Sequence, residues 1–380
     1  MLCLHSKSWN VFFFSLPFCI LASKSMTKER NGQIFVIILI PPSKFKPIKG
    51  RKKEKPSTYS ETMESQNLTS NGVGSALIFL GTGNSSAVPH PMCLIQPSDP
   101  PCHVCSQALS VPPDQNPNYR CNTSLLIDYQ QSSDEHKYIL IDVGKTFREQ
   151  VLRWFTFHKI PRVDSIILTH EHADAVLGLD DIRSVQSFSP TNDTDPIPVY
   201  LSQFTLDSIC LKFHYLTKER LPGAKKKKSI AQLEWRKIEE DCQRPFVASG
   251  LQFVPLPVMH GEDYIYLGFL FGEKVRIAYI SDVSRFPEST EYVISKAGAG
   301  QVDLLILEAS RKSGPPGGAH FCLSQTLEAL KRLCPKQALL TGMGHEFDHY
   351  KDNEFLAKWS KREGIAVQLA RDGLRVPIDL

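Results

Sequence analysis

Between Leu168 and Asp174 the chain reads LTHEHAD, two histidines two residues apart followed two residues later by an aspartate. The apolar run Val163–Leu168 predicts a buried strand, so His170 falls where that strand ends. A bent loop there can aim the imidazoles of His170 and His172 at one point, while Asp174 can cap a helix starting at Ala175. Imidazole and carboxylate are the ligands that a catalytic zinc takes, at about 2.0–2.2 Å. Two histidines in three residues at a strand-to-helix turn are seldom there for packing. Two later strands end in the same kind of residue: LQFVPLPVM runs into His260, and VRIAYIS runs into Asp282. Alone, a strand-end His is often solvated and a strand-end Asp often caps a turn. Four such residues in one domain point to a shared metal, because strand ends converge at one edge of a sandwich.

Cysteines supply a second set of candidate donors. Of the ten, Cys93, Cys102, Cys105 and Cys121 crowd one stretch, and Cys102 and Cys105 form a CxxC. Ten thiols are too few for a disulfide scaffold in 380 residues, and the clustering reads as metal binding in a reducing compartment. No thioredoxin-like strand and helix precede the CxxC. Cys121, Cys210, Cys242, Cys322 and Cys334 read as buried small hydrophobes. His320 lies just before a helix predicted to open near Leu323, where a helix N-terminus attracts anions and a neighbouring His can donate to a phosphate or leaving oxygen. An ordinary loop His is the competing reading of that residue. The Gly-rich GTGNSS at Gly81–Ser86 lacks the Walker Lys-Ser/Thr, which argues against a nucleotide loop.

The elements that must position these residues are those of an α/β domain from Ser75 onward. Short β-branched runs recur: SALIFLG, NTSLLIDY, HKYILIDVG, VDSIILT, IPVYLS, LQFVPLPVM, YIYLGFLFG, VRIAYISD, VDLLILEA, QALLTGM and IAVQLA. Helical-period segments sit between several of them, at Phe147–His158, Ala175–Phe188, Glu288–Ala297, Leu323–Leu333 and Asn353–Arg362. Early strands follow one another directly and later ones alternate with helices, which fits two packed sheets with helices outside. From about Leu206 to Asp241 the pattern turns helical and polar, and Lys225–Lys228 reads as a solvated loop.

At 42% hydrophobic residues the chain can bury a sizeable core, which excludes wholesale disorder. The net charge of +4 divides unevenly: residues 1–62 hold 11 Lys/Arg against 3 Asp/Glu, leaving 33 against 37 for the rest. An acidic body argues against a nucleic-acid-binding face. Residues 1–74 read as a tail, disordered or targeting, closed by a Lys/Pro/Ser-rich linker, with residues 75–380 as the folded domain. Val11–Ala22 resembles a signal-peptide core but is too short to span a bilayer, which takes about 20 apolar residues. Clustered thiols favour the cytoplasm over secretion, with Met63 opening the domain. The sequence leaves the oligomeric state open, a homodimer included.

HEHAD with His260 and Asp282 resembles the metallo-β-lactamase superfamily, whose signature is HxHxDH followed by a His and then an Asp. FLGTGNSSAVP at Phe79–Pro89, the cysteine cluster, NTSLLID, GLDDIR, AHF and LTGMGHEFD narrow the resemblance to the bacterial phosphoribosyl cyclic phosphodiesterases of phosphonate breakdown. The resemblance runs from about Leu77 to the C-terminus, and HxHxD is specific for the superfamily. It implies a four-layer αββα metallo-β-lactamase sandwich with a two-metal site at one edge. It also implies a separate structural zinc on Cys93, Cys102, Cys105 and His345, three thiolates and one imidazole being a closed set. Asp142 in IDVG would orient the metal loop, and His320 would assist catalysis.

The chain departs from the family pattern at two ligand positions. Ala175 stands where the family's HxHxDH ends in His, and Gly342 stands at the first His of its LTHxxH. Both missing residues would serve the second metal, leaving Asp174 and a shared Asp282 for it. The first site keeps His170, His172 and His260, with an open position for water. The expectation is one firmly held catalytic zinc, one structural zinc, and a second active-site metal (Mn or Zn) that is weak, relocated or absent. His349 or Asp181 could substitute as a ligand, though neither is the favoured reading. The activity this implies is zinc-dependent hydrolysis of a small phosphodiester, cyclic-phosphate-like, with Asp174 as base or orienter and His320 protonating the leaving oxygen. Hydrolysis of a thioester or lactone is the runner-up, and a non-catalytic zinc-binding protein is the rival from another class.

Overall fold

Alternation decides which way each strand faces. In β1 (Ser75–Gly81), Leu77 and Phe79 point to one side while Ile78 and Leu80 point to the other, and all four are buried. A strand buried on both faces needs a layer on each side. The structure is a computed structural model that describes residues 74–132, 135–187, 194–217, 230–314 and 318–380. All but the last residue of the tail expected over residues 1–74, and the Lys225–Lys228 run, lie outside the described residues.

Strands β1, β2 (Ser124–Ser132), β3 (Glu135–Ile141), β4 (Ser165–Ile167), β5 (Ile197–Leu201), β6 (Leu233–Lys237) and β14 (Arg375–Ile378) make a seven-stranded sheet in the order β14-β1-β2-β3-β4-β5-β6. Strands β7 (Phe246–Ala248), β8 (Leu251–His260), β9 (Tyr264–Phe271), β10 (Ile277–Ile280), β11 (Leu304–Glu308), β12 (Gln337–Thr341) and β13 (Ala366–Leu369) make the other sheet, in the order β13-β12-β11-β10-β9-β8-β7. Each sheet opens antiparallel and finishes parallel. Leu77, Phe79, Ile127, Ile141, Phe253, Phe269, Tyr279, Ile306 and Leu339 fill the space between the sheets. The helical segment from Phe147 to His158 and the helix Gln203–Lys212 cover one outer face through Phe147, Trp154 and Ile209. The helices Leu323–Leu333 and His349–Glu363 cover the other through Leu327, Leu330, Leu356 and Trp359. The architecture is the four-layer αββα sandwich expected from the sequence.

The parallel strands carry the chemistry at their carboxyl ends. Asp142 follows β3, His170 follows β4, Asp282 follows β10, Glu308 ends β11 and Gly342 follows β12. This is the edge of an α/β sheet where ligands are ordinarily taken.

Three local expectations are corrected. The single helix predicted over Ala175–Phe188 is instead a turn of helix at Ala173–Val176 and a tighter 3-10 segment at Leu179–Ser184. They part because the Gly178 N–H donates 2.8 Å to the Val143 carbonyl after β3, outside the helix ladder. Within the polar stretch, β6 forms a mostly exposed edge strand; it, β7 and β14 are short or polar and were not among the predicted runs. Cys210 is exposed on its helix, and Cys242 and Cys334 are only partly buried, so these three thiols are not core residues. Among the described residues no helix is long and apolar enough to cross a membrane.

Candidate metal centre

The loop after β4 is held from below by Asp142. Its carboxylate accepts the Thr169 backbone N–H at 2.9 Å and the Thr169 hydroxyl at 2.8 Å. With that hydroxyl proton committed, Thr169 Oγ1 is an acceptor for the imidazole N–H at His170 Nδ1, 2.7 Å away. The relay fixes the tautomer and leaves the Nε2 lone pair of His170 facing the site. Asp142 itself has φ +62° and is buried; burial pushes its carboxyl up to about 8 against the pull of the Thr169 bonds. Gly144 lets the loop sit this close, because a Cβ there would stand 2.0 Å from the Asp174 carbonyl oxygen.

Six of the sequence-predicted residues meet at this edge. Their donor atoms form two triads, His170 with His172 and Asp174, and His260 with Asp282 and His320, each within 4.8 Å. The triads touch: His170 Nε2 lies 3.7 Å from Asp282 Oδ2, and the His172 and His260 rings are 5.4 Å apart. His170 is 3% exposed, and burial, then the neighbouring His172 and His260, holds its pKa well below the ordinary value. His260 is likewise lowered to about 3, by burial and then by His320 and His172. Both imidazoles are therefore neutral, the form that coordinates metal. Asp282 is the opposite case, its pKa raised well above the usual carboxylate range by burial and then by Glu308.

The residues fit a divalent cation on an observation independent of sequence pattern. His170 Nε2, His260 Nδ1 and Asp282 Oδ2 are all buried without a hydrogen-bond partner. Three orphaned donors at one edge would cost several kcal/mol if nothing met them. A divalent ion meets all three. His170, His172, His260 and Asp282 are the residues that would hold it.

His320 does not stand free. Its Nδ1 lies 3.0 Å from Glu308 Oε2 and 3.9 Å from Asp282 Oδ2. Burial lowers its pKa, but the Glu308 bond and charge, with Asp282, raise it to about 9, so the ring is cationic at neutral pH. Glu308 is 1% exposed; its Oε1 accepts the Val283 and Phe321 N–H groups at 2.6 and 3.2 Å. Sequence reasoning missed Glu308, although a carboxylate ending a parallel strand at this edge carried the same signal as Asp282.

The two departures from the family pattern are physically distinct. Ala175 is 1% exposed and packs into the core beneath the loop. Gly342 has φ +70°, and a Cβ there would meet Glu308 Cβ at 3.2 Å. Among the described residues neither His349 nor Asp181 joins a group of candidate donors. His349 Nε2 instead faces Asn353 at 3.2 Å.

The cysteine set does converge. Cys93, Cys102, Cys105 and His345 place one donor each within 4.8 Å. His345 Nδ1 is 3.4 Å from both Cys93 Sγ and Cys102 Sγ. Donors at about 2.3 Å around a tetrahedral zinc stand about 3.8 Å apart, so little adjustment is needed. Burial raises the Cys105 thiol to about 12 and Cys93 in the same direction, while the His90 N–H donates 3.3 Å to Cys105 Sγ, as a thiolate ligand wants.

The model of a beta-lactamase superfamily domain matches residues 137–343. The octanoyltransferase of Porphyromonas gingivalis (strain ATCC BAA-308 / W83) is 29% identical over 305 residues, covering 79% of this chain and 52% of that protein. The chain thus spans about half the length of this curated relative. The crystal structure of a diphosphatase from the PhnP family is 29% identical, with a TM-score of 0.61 over 80% of this chain and 98% of that one. Zinc-bound PqqB from Methylobacterium extorquens matches at 17% identity and a TM-score of 0.59, over 80% and 100%, a likeness of fold.

Proposed function

This chain belongs to the beta-lactamase superfamily, as a metallo-β-lactamase-fold hydrolase resembling the PhnP family, and on that footing we propose that it is a zinc-dependent phosphodiesterase acting on a small, cyclic-phosphate-like substrate. The observation that carries this reading is the set of orphaned donors on His170, His260 and Asp282 beside a cationic imidazole on His320. When bound, the metal supplies Lewis acidity toward a phosphoryl oxygen and activation of water at neutral pH.

The protein's own groups do the rest. His170 and His260, kept neutral by burial, are ready to coordinate without first losing a proton. Asp174, at the first turn after the histidines, is placed to accept a proton from the attacking water or to orient it. His320 carries the proton that the leaving oxygen needs. Glu308, fixed by two backbone N–H groups, holds that ring in place and its charge in balance. A cationic His320 also attracts an anionic phosphodiester. That favours a phosphodiester over the neutral thioester or lactone that the same fold admits.

Cys93, Cys102, Cys105 and His345 hold a second, structural zinc in this reading. The domain is the part from Ser75 onward, with residues 1–74 a separate tail, in a reducing compartment such as the cytoplasm. The deciding assay is hydrolysis of bis(p-nitrophenyl) phosphate after chelation and reloading with zinc or manganese. Turnover that returns with metal is expected; none with either ion, at full occupancy, points instead to a non-catalytic zinc protein.

A further inference from the structure

Tyr266 sits where no ordinary core residue does. It lies in β9 opposite Val258, is 2% exposed, and its ring reaches all three imidazoles of the candidate centre. It stacks on His170 at 4.2 Å and 20°, stacks on His260 at 4.5 Å and 18°, and meets His172 edge-on at 5.3 Å and 89°. Its hydroxyl is 2.7 Å from His172 Nε2 and 3.5 Å from Glu171 Oε1.

The hydroxyl contact decides which nitrogen His172 can offer. With Nε2 engaged by the phenol, the nitrogen left is Nδ1. His170 is presented the other way round, because Thr169 holds its Nδ1 and frees Nε2. The two histidines of the loop thus need two different anchors, one below from Asp142 through Thr169, and one from the opposite sheet. Among the described residues, the other polar side chain beside His172 is Glu171, whose Oε1 lies 3.7 Å from Nε2. Its side chain is 47% exposed, so packing alone does not hold it.

We infer that Tyr266 is the positioning residue of this centre, setting the orientation of His172 through its hydroxyl and the spacing of His170 and His260 through its ring. This rests on the reading of the three histidines as metal ligands. A partner that orients a metal-bound imidazole is worth about 10- to 100-fold in affinity.

The test separates hydroxyl from ring and metal from fold. Tyr266→Phe keeps the stacking and removes only the bond to His172. Cobalt is titrated into full-length protein stripped of metal, and the thiolate charge-transfer band of the cysteine site is read apart from the weaker d–d bands of the histidine site. Tyr266→Phe is expected to weaken cobalt binding at the histidine site by about 10- to 100-fold and to shift its d–d bands, leaving the thiolate band unchanged. Tyr266→Leu is expected to weaken it further. In a His172→Ala background the Phe change is expected to add nothing, because its effect runs through that ring. Unchanged affinity and d–d bands in Tyr266→Phe, with a lowered melting temperature, would make Tyr266 a packing residue and overturn the inference. Should the wild type show no d–d bands beyond those of the cysteine site, the three-histidine reading falls and this inference with it.

Discussion

Adding a side chain at Gly342 probes the second-metal position directly. The backbone there has φ +70°, a conformation that costs an L-residue roughly 1–2 kcal/mol. A Cβ would also stand 3.2 Å from Glu308 Cβ. Glu308 cannot swing aside, because it ends β11 and three groups hold its carboxylate, the Val283 and Phe321 N–H groups and His320. Overpacking against a fixed neighbour adds about 1–3 kcal/mol. Gly342→Ala should therefore lose roughly 2–5 kcal/mol. For a domain of this size, where each kcal/mol moves the midpoint by roughly 2 °C, that is about 4–10 °C in a calorimetric melt. Gly342→His should lose as much and gain no tight ion by itself. Paired with Ala175→His it should raise the active-site metal count by one and recover stability through binding, about 2.7 kcal/mol at a hundredfold excess over Kd. Elemental analysis beside the melts decides the matter. A Gly342→Ala protein that melts like the wild type would refute the packing argument. A wild type that already holds two tight ions besides the cysteine-bound one would refute the reading of a degenerate second site.

His170→Ala or His260→Ala is expected to abolish hydrolysis of bis(p-nitrophenyl) phosphate with the circular dichroism spectrum intact; wild-type turnover in either would remove that histidine from the centre. Cys105→Ser is expected to release about one zinc per chain and lower the melting temperature, since a closed site couples metal binding to folding; unchanged metal content and melting would dissolve the structural cluster. Glu308→Gln keeps an acceptor for Val283 and Phe321 but removes the charge facing His320, so kcat should fall at least about tenfold and KM should rise. A Gln variant with full kcat would show that His320 works without its partner.

Much of the fold was legible because burial on both faces leaves an unmistakable trace: runs such as LLILE and IAYI admit almost nothing but a central strand. The edge strands left no such trace, since β6, LEWRK, is half solvated and reads as helix or loop equally well. His170, His172, Asp174, His260 and Asp282 could be gathered from sequence because strand ends meet at a common edge. What could not be gathered was the layer that aims them. Tyr266 occupies an alternating strand position like any core aromatic, and only the approach of the second sheet puts it among the histidines. Likewise, Gly342 reads as a lost ligand, but that Glu308 lies against the bare backbone is a fact of packing between β11 and β12.

The pairing of the first strand with the last has a consequence for how the molecule is made. β1 joins β14, Ser75 lying opposite Ile378, and the thiols at Cys93 and Cys102 meet an imidazole some 250 residues downstream. Neither closure can occur while the chain is still being synthesised up to that point. The nascent protein must carry three uncommitted thiols until His345 emerges and an open sheet edge until β14 does. Pairings so distant in sequence fold slowly and leave edges exposed to other chains. A cell making this protein thus has to protect a thiol-bearing intermediate from oxidation and from stray strand addition, and in the proposed reading a metal arriving at His345 would be among the last events of folding.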